Sequence, residues 1–258
     1  MKEYIVCADI ASKRDRYAEM VLRRHVYLQE GNRNTRSENR VLSELQIVWM
    51  KQEEALRYED MENSYMSLIR RPELLDNCDE LVDGTGVGDA VIESLRKRGA
   101  FPVSIVFTNG GRAHPVYAEI GQVFGDSRAG ELALMRTVKE WLVPRKELVA
   151  DLALIFEQGR ISIGRKVNHR EALEAQLTGF RLNRKKVKYE AETEELHDDL
   201  VTDLMMACWW THYFESEIPE GELLDKSFES VSWDPLEQFN IKDEPQRSDV
   251  PMSVQSWR

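Results

Sequence analysis

Cysteine is scarce in this chain. Cys7, Cys78 and Cys208 are scattered, odd in number and without CxxC spacing. Neither a disulfide framework nor a zinc knuckle is expected, and a reducing cytoplasm fits best. Long apolar runs are missing too. The longest clean one, Leu204 to Trp210, falls well short of the ~18 residues of a spanning helix, and the start MKEYIVCAD has no signal-peptide core. A membrane or secreted protein is therefore not expected. Nor is there an excess of positive charge: 46 acidic against 35 basic residues leave a net -11 over 258 residues, which argues at first sight against a nucleic-acid partner.

The negative charge is unevenly spread. Phe214 to Arg258 holds 11 acidic and 4 basic residues, so residues 1–213 are close to balance at -4. With domains of about 150 residues as the usual expectation, residues 1–213 read as one domain and 214–258 as an acidic tail, partly ordered or partner-binding. Basic patches stand out in the body: Lys13, Arg14 and Arg16, then Arg23 and Arg24, then Arg181, Arg184, Lys185, Lys186 and Lys188. A charge run is usually a solvated face, so no single patch identifies a ligand.

The punctuation of the chain predicts an order of elements. Tyr4–Asp9 has the apolar, β-branched character of a buried strand, and Tyr17–Tyr27 and Leu45–Met50 continue it as an antiparallel meander. Tyr58–Arg70 has helical spacing, Glu80–Asp83 reads as a strand, Gly84–Gly88 as a turn and Asp89–Arg98 as a helix. Phe101–Thr108 is a strong strand signal, and the glycine-rich stretch that follows, to Leu142, reads as a hairpin or mobile loop. Pro144 opens a helix that Gly159 closes; Ile161–Ile163 is a strand, Arg170–Leu177 a helix, Phe180–Glu190 a basic alternating strand, and His197-Asp198-Asp199 opens a last helix to about Tyr213. The sum is an α/β sandwich with a mixed sheet.

Such sheets place ligands at the carboxyl ends of their strands. Asp9 and Asp83 stand at two such ends, and Asp198 with Asp199 starts a helix. If the first and fourth strands are neighbours, all of them reach one crevice. Gathered carboxylates repel one another, and a hard divalent cation, Mg²⁺ or Mn²⁺, is the natural neutraliser. Two such ions roughly 3.5–4 Å apart can hydrolyse a phosphodiester without a serine or cysteine nucleophile. Each aspartate alone could equally be a turn-former or a helix cap.

Five segments, in order, resemble the C-terminal nuclease domain of the tailed-phage (bacteriophage) large terminase subunit: Ile5-Val-Cys-Ala-Asp9 with Asp15 beyond it; Leu81-Val-Asp83-Gly-Thr-Gly-Val-Gly88; Phe107-Thr-Asn-Gly-Gly111; Val143-Pro-Arg-Lys-Glu-Leu148 with Gly159-Arg-Ile-Ser-Ile163; and His197-Asp-Asp-Leu-Val201 running into Ala207-Cys-Trp-Trp210. The resemblance covers about Tyr4 to Trp210. It implies an RNase H-like (RuvC-like) fold, with three antiparallel strands followed by parallel ones between helices, and a Mg²⁺- or Mn²⁺-dependent endonuclease that cuts concatemeric double-stranded DNA with two ions. Asp9, Asp83 and Asp199 then look like the metal-binding, catalytic carboxylates, with Asp198 and Asp15 as acids near a second ion. His197 would orient a water or a proton. Arg145, Lys146, Arg184, Lys185 and Lys186 would hold DNA, although Val143-Pro-Arg145-Lys146 stands where the family has Val-Pro-Lys, which leaves open which cation does so. The implied partners are the ATPase motor domain, the small terminase subunit and the portal protein, in the cytoplasm of a host cell.

The motor half of a large terminase is not expected in this chain. Gly159 to Gly164 has P-loop spacing, but Arg165 and Lys166 occupy the positions of its Lys and its Ser or Thr. An excised nuclease half and a naturally split protein fit equally. Two other readings stay open: an actin-like or sugar-kinase type ATPase, suggested by Asp83-Gly-Thr-Gly86, and a non-catalytic portal-docking domain.

Overall fold

A computed structural model of the chain describes residues 2–10, 16–29, 39–54, 57–85, 88–118, 137–164, 167–183, 188–191 and 197–217. Strands β1 (Tyr4–Asp9), β2 (Tyr17–Gln29) and β3 (Arg40–Glu53) form the expected antiparallel meander. β4 (Cys78–Asp83) and β5 (Val103–Thr108) then run parallel to β1 on its other side. With β6 (His114–Ala118), β7 (Thr137–Pro144) and β8 (Ile161–Ile163), the sheet order is β6-β7-β5-β4-β1-β2-β3-β8. Three antiparallel strands followed by parallel ones is the arrangement expected of an RNase H-like fold. Helices α1 (Tyr58–Ile69) and α2 (Gly88–Lys97) pack on one face of the sheet; α3 (Arg145–Glu157), α4 (Arg170–Gly179) and α5 (Asp199–Glu217) pack on the other.

The β1 sequence explains its central place. It is apolar at every position but the last, as a strand covered on both faces must be. Ile5 and Cys7 enter the core shared with α5, while Tyr4, Val6 and Ala8 enter the core under α1 and α2. α5 is buried from Asp199 to Thr211 and is accordingly apolar almost all round. Its second half is locked by aromatic rings: Trp141 stands edge-on to Trp209 at 5.4 Å and to Tyr213 at 4.8 Å, and Trp210 edge-on to Phe214 at 4.7 Å. Such pairs add about 0.5–1.5 kcal/mol each beyond burial, which makes α5 a rigid mount for the acids in its first turns.

Two expectations change and a third is sharpened. The stretch to Leu142, read as a hairpin or mobile loop, holds the antiparallel strand pair of a hairpin, β6 and β7, and β7 is also the parallel partner of β5. Trp141 and Val143 of β7 are core residues, but the adjacent Lys139 and Glu140 mask the alternation. Residues 119–136 lie outside the described ones. Phe180–Glu190, read as one strand, is two, β9 (Phe180–Asn183) and β10 (Lys188–Ala191), paired antiparallel apart from the main sheet. Residues 184–187 between them, Arg-Lys-Lys-Val, contain no Gly, Pro, Asn or Asp to mark the break. Finally, α5 runs to Glu217. Glu215, placed in the tail by composition, pairs with Arg160 at 2.6 Å and accepts a hydrogen bond from the Ser43 backbone N–H at 2.6 Å. The rest of the tail, residues 218–258, lies outside the described residues.

Candidate acid site at the carboxyl end of the sheet

β1 and β4 are adjacent and parallel, with Ala8 opposite Val82, so Asp9 and Asp83 leave the sheet side by side. Strand alternation puts both on the α5 face: Asp9 continues Ile5 and Cys7, and Asp83 continues Leu81. Asp83 is fixed by the turn that follows it. Its Oδ1 accepts from the Thr85 N–H at 2.7 Å, and the Thr85 hydroxyl oxygen accepts from the Phe107 N–H at 2.7 Å. The Gly84 N–H donates to the Ile105 carbonyl at 2.8 Å. A Cβ on Gly84 would lie 2.3 Å from Ser104 Oγ and 3.0 Å from Val106 Cγ2, so only glycine lets the chain leave β4 this close to β5.

The first turn of α5 meets these strand ends. The Leu200 N–H donates to Gln176 Oε1 of α4 at 3.0 Å, and the Thr202 N–H to the Asp198 carbonyl at 2.8 Å. His197 enters the turn with φ +20°. The two acids beside it are treated differently. Asp198 accepts Arg145 Nη2 at 2.5 Å, and that guanidinium lies 5.7 Å from the Phe107 ring and 6.0 Å from the Phe180 ring. Asp199, 6% exposed, accepts only the neutral amide of Gln52, Nε2 to Oδ2 at 2.9 Å, among the described residues.

One turn on, Asp203 is fully buried and neither carboxylate oxygen has a hydrogen-bond partner among the described residues. Burial pushes its carboxyl well above the ordinary range, and Asp199, Glu19 and Asp83 push it further. Asp9 is raised well above that range by burial first, then by Asp83, Asp203, Asp199 and Asp198. Burial also raises Asp83, against the Thr85 hydrogen bonds and the Arg145 charge, and Asp199, against Gln52 and His197. Behind them Glu19 is fully buried on β2. It accepts from the Tyr17 hydroxyl and, at 3.0 Å, from the Ser64 hydroxyl, which in turn accepts Lys51 Nζ at 2.9 Å.

The sheet thus brings Asp9, Asp83, Asp198 and Asp199 to one place. Asp15, Arg184, Lys185 and Lys186 lie outside the described residues. Lys146 is exposed on the first turn of α3, while Arg145 is committed to Asp198. The donor set is oxygen-rich and includes a buried carboxylate without a partner, which suits a hard cation. As the side chains stand, no three His, Cys, Asp or Glu among the described residues form a group that could hold one ion. A cation would have to draw the carboxylates together.

The sequence motifs single out neither Asp203 nor Gln52. The signal for Asp203 was its isolation: a single charge in the apolar run Leu200 to Trp210. Gln52 carried no signal, because only strand pairing brings the end of β3 against α5.

No protein-family model matches the chain, and neither does any curated protein. Among solved structures, the chain is similar to the crystal structure of the large terminase nuclease from thermophilic phage G20c, with a TM-score of 0.47 and 17% identity over 80% of this chain and 81% of that one. It is also similar to the structure of that nuclease with bound zinc, with a TM-score of 0.43 and 17% identity over 80% of each chain. At this distance neither likeness assigns a function.

Proposed function

We propose that the chain is a divalent-metal-dependent DNA endonuclease domain of the large-terminase kind, hydrolysing phosphodiester bonds of double-stranded DNA during genome packaging. The observation that carries this reading is the convergence on one crevice of the sheet of the half-buried Asp9 and Asp83 with the buried Asp199 and Asp203, acids whose negative charges oppose one another. Uncompensated carboxylates are costly in a folded core, and a resident cation is the simplest reason to keep them. Asp9, Asp83 and Asp199 would hold Mg²⁺ or Mn²⁺, with Asp198 and Asp15 near a second ion. When bound, a pair of such ions supplies an activated water and stabilises the leaving oxygen.

The chain's own residues do the rest. Gly84 and Thr85 fix the Asp83 carboxylate, and Gln176 anchors the first turn of α5. His197 orients a water beside Asp199. Lys146, with Arg184, Lys185 and Lys186, holds phosphates, so binding falls with salt and carries little sequence information. Arg145 serves DNA only through the Asp198 pair. The packaging motor, the small subunit and the portal are the partners this reading brings, in the host cytoplasm.

A plasmid-cleavage assay tests the reading. Mn²⁺ should support nicking, EDTA should stop it, and Asp83→Ala or Asp9→Ala should abolish it while the circular-dichroism spectrum is unchanged. Cleavage retained by Asp83→Ala would reject the assignment. A melting-temperature rise with ATP instead of Mn²⁺ would favour the ATPase reading.

A further inference from the structure

The geometry points to Gln52 as a positioning residue that orients Asp199 for the cation without neutralising it, which makes Asp199 the ligand and leaves Asp198 as an anchor. This rests on the nuclease reading above. Asp198 and Asp199 are neighbours in sequence, yet their partners differ in kind. Arg145 brings a full positive charge to Asp198 at 2.5 Å, with Phe107 and Phe180 behind its guanidinium. That carboxylate is fixed and its charge is spent on the pair. Gln52 brings one neutral N–H to Asp199 Oδ2 at 2.9 Å. That carboxylate is also fixed, but its charge and its second oxygen remain available.

Strand alternation at the end of β3 produces the difference. Met50 enters the core shared with α5, and Gln52, two residues on, faces the same way. Lys51 points to the opposite face, where its ammonium meets Ser64 at 2.9 Å and lies 5.8 Å from the Tyr17 ring. The cation of this strand end is therefore directed away from Asp199, and an uncharged donor is presented to it. A neutral hydrogen bond to a ligating side chain fixes its rotamer while preserving its affinity for a metal, and losing such a partner typically weakens metal binding about 10–100-fold.

The test is a Mn²⁺ titration of the full chain read by melting temperature, with plasmid nicking in parallel. Gln52→Met keeps the length and removes the donor; Gln52→Glu keeps the shape and replaces the donor by an acceptor. In EDTA, Gln52→Met should melt close to the unsubstituted protein, and Gln52→Glu, which sets a further carboxylate against Asp199, should melt lower. Both should need about tenfold more Mn²⁺ for the half-maximal rise in melting temperature. Nicking by Gln52→Met should recover at saturating Mn²⁺, since the ligand is misplaced and not lost. Gln52→Lys keeps a donor but adds a charge, and should respond to Mn²⁺ as poorly as Gln52→Met. An unchanged Mn²⁺ midpoint in Gln52→Met and Gln52→Glu, beside an Asp83→Ala protein that no longer responds, would overturn the role of Gln52 alone. An Asp83→Ala protein with a normal Mn²⁺ response would remove the metal site itself, and this inference with it.

Discussion

The two ends of the central sheet both bury carboxylates, and they treat them in opposite ways. At the amino end of β4, Asp79 accepts Arg24 Nη2 at 2.9 Å and the Trp210 indole N–H at 3.1 Å. Close by, Glu215 is held by Arg160 and a backbone N–H. Every one of those charges has a counter-charge. At the carboxyl end, Asp9, Asp83, Asp199 and Asp203 form no ion pair among the described residues, the Arg145 guanidinium going to Asp198 and that of Arg16 to Glu54. The same residue type is structural where it is paired and a candidate for chemistry where it is not. A folded chain keeps like charges together at a cost in stability only where something else, here a proposed cation, relieves them.

The largest effect that would sharpen this contrast is expected at the paired end. Asp79→Ala leaves the Arg24 guanidinium, 1% exposed, buried with only the Lys2 carbonyl on Nη2 at 2.6 Å, its own Nε and Nη1 being already without partners among the described residues. A loss of about 3–5 kcal/mol is expected in urea denaturation. A loss below about 1 kcal/mol would mean that the pair contributes no more than a surface ion pair, and the two ends would cease to differ.

At the acid end the sign should reverse. Asp203→Asn keeps the shape and removes an ionisable group that burial and three acids oppose. In metal-free buffer at neutral pH it should stabilise the fold by about 1–2 kcal/mol. Destabilisation in the same measurement would show that the carboxylate is supported after all.

The smallest effect concerns pH. His212 on α5 donates its Nδ1–H to Asp151 Oδ1 at 2.6 Å, and that bond raises its pKa. The pair therefore stabilises the fold fully below the ordinary histidine value of about 6.5, and loses that contribution as pH rises through the raised value. The histidine is 44% exposed and water screens the pair, so the change should stay below about 1 kcal/mol. The raised carboxyls of the acid end give the same slope, but starting from about pH 4, where unfolded carboxyls titrate. His212→Asn should flatten only the upper window of a stability–pH profile; a profile flattened at low pH as well would tie the two ends together.

Much of the fold could be read along the chain. β1 announced itself because a central strand is apolar at consecutive positions, and α3 because Leu148, Leu152, Ile155 and Phe156 share a face between Pro144 and Gly159. β7 was hidden by Lys139 and Glu140, and the break between β9 and β10 by a run of Arg and Lys without a turn residue. In the site, Asp9, Asp83 and Asp199 stood out because each closes or opens an element. Arg145 was legible as a cation but not as the partner of Asp198, since 53 residues separate them.

The order of amino acids was enough to settle that β1 and β4 each end on an acid, because an apolar run closed by an aspartate is a local property of pattern and punctuation. Only the folded chain decided which acids are paired, since Arg145, Gln52 and Arg24 find their carboxylates across strand pairings and helix packings that no local spacing encodes. Charge compensation acts through space over a few ångströms, and distance in space is what folding sets.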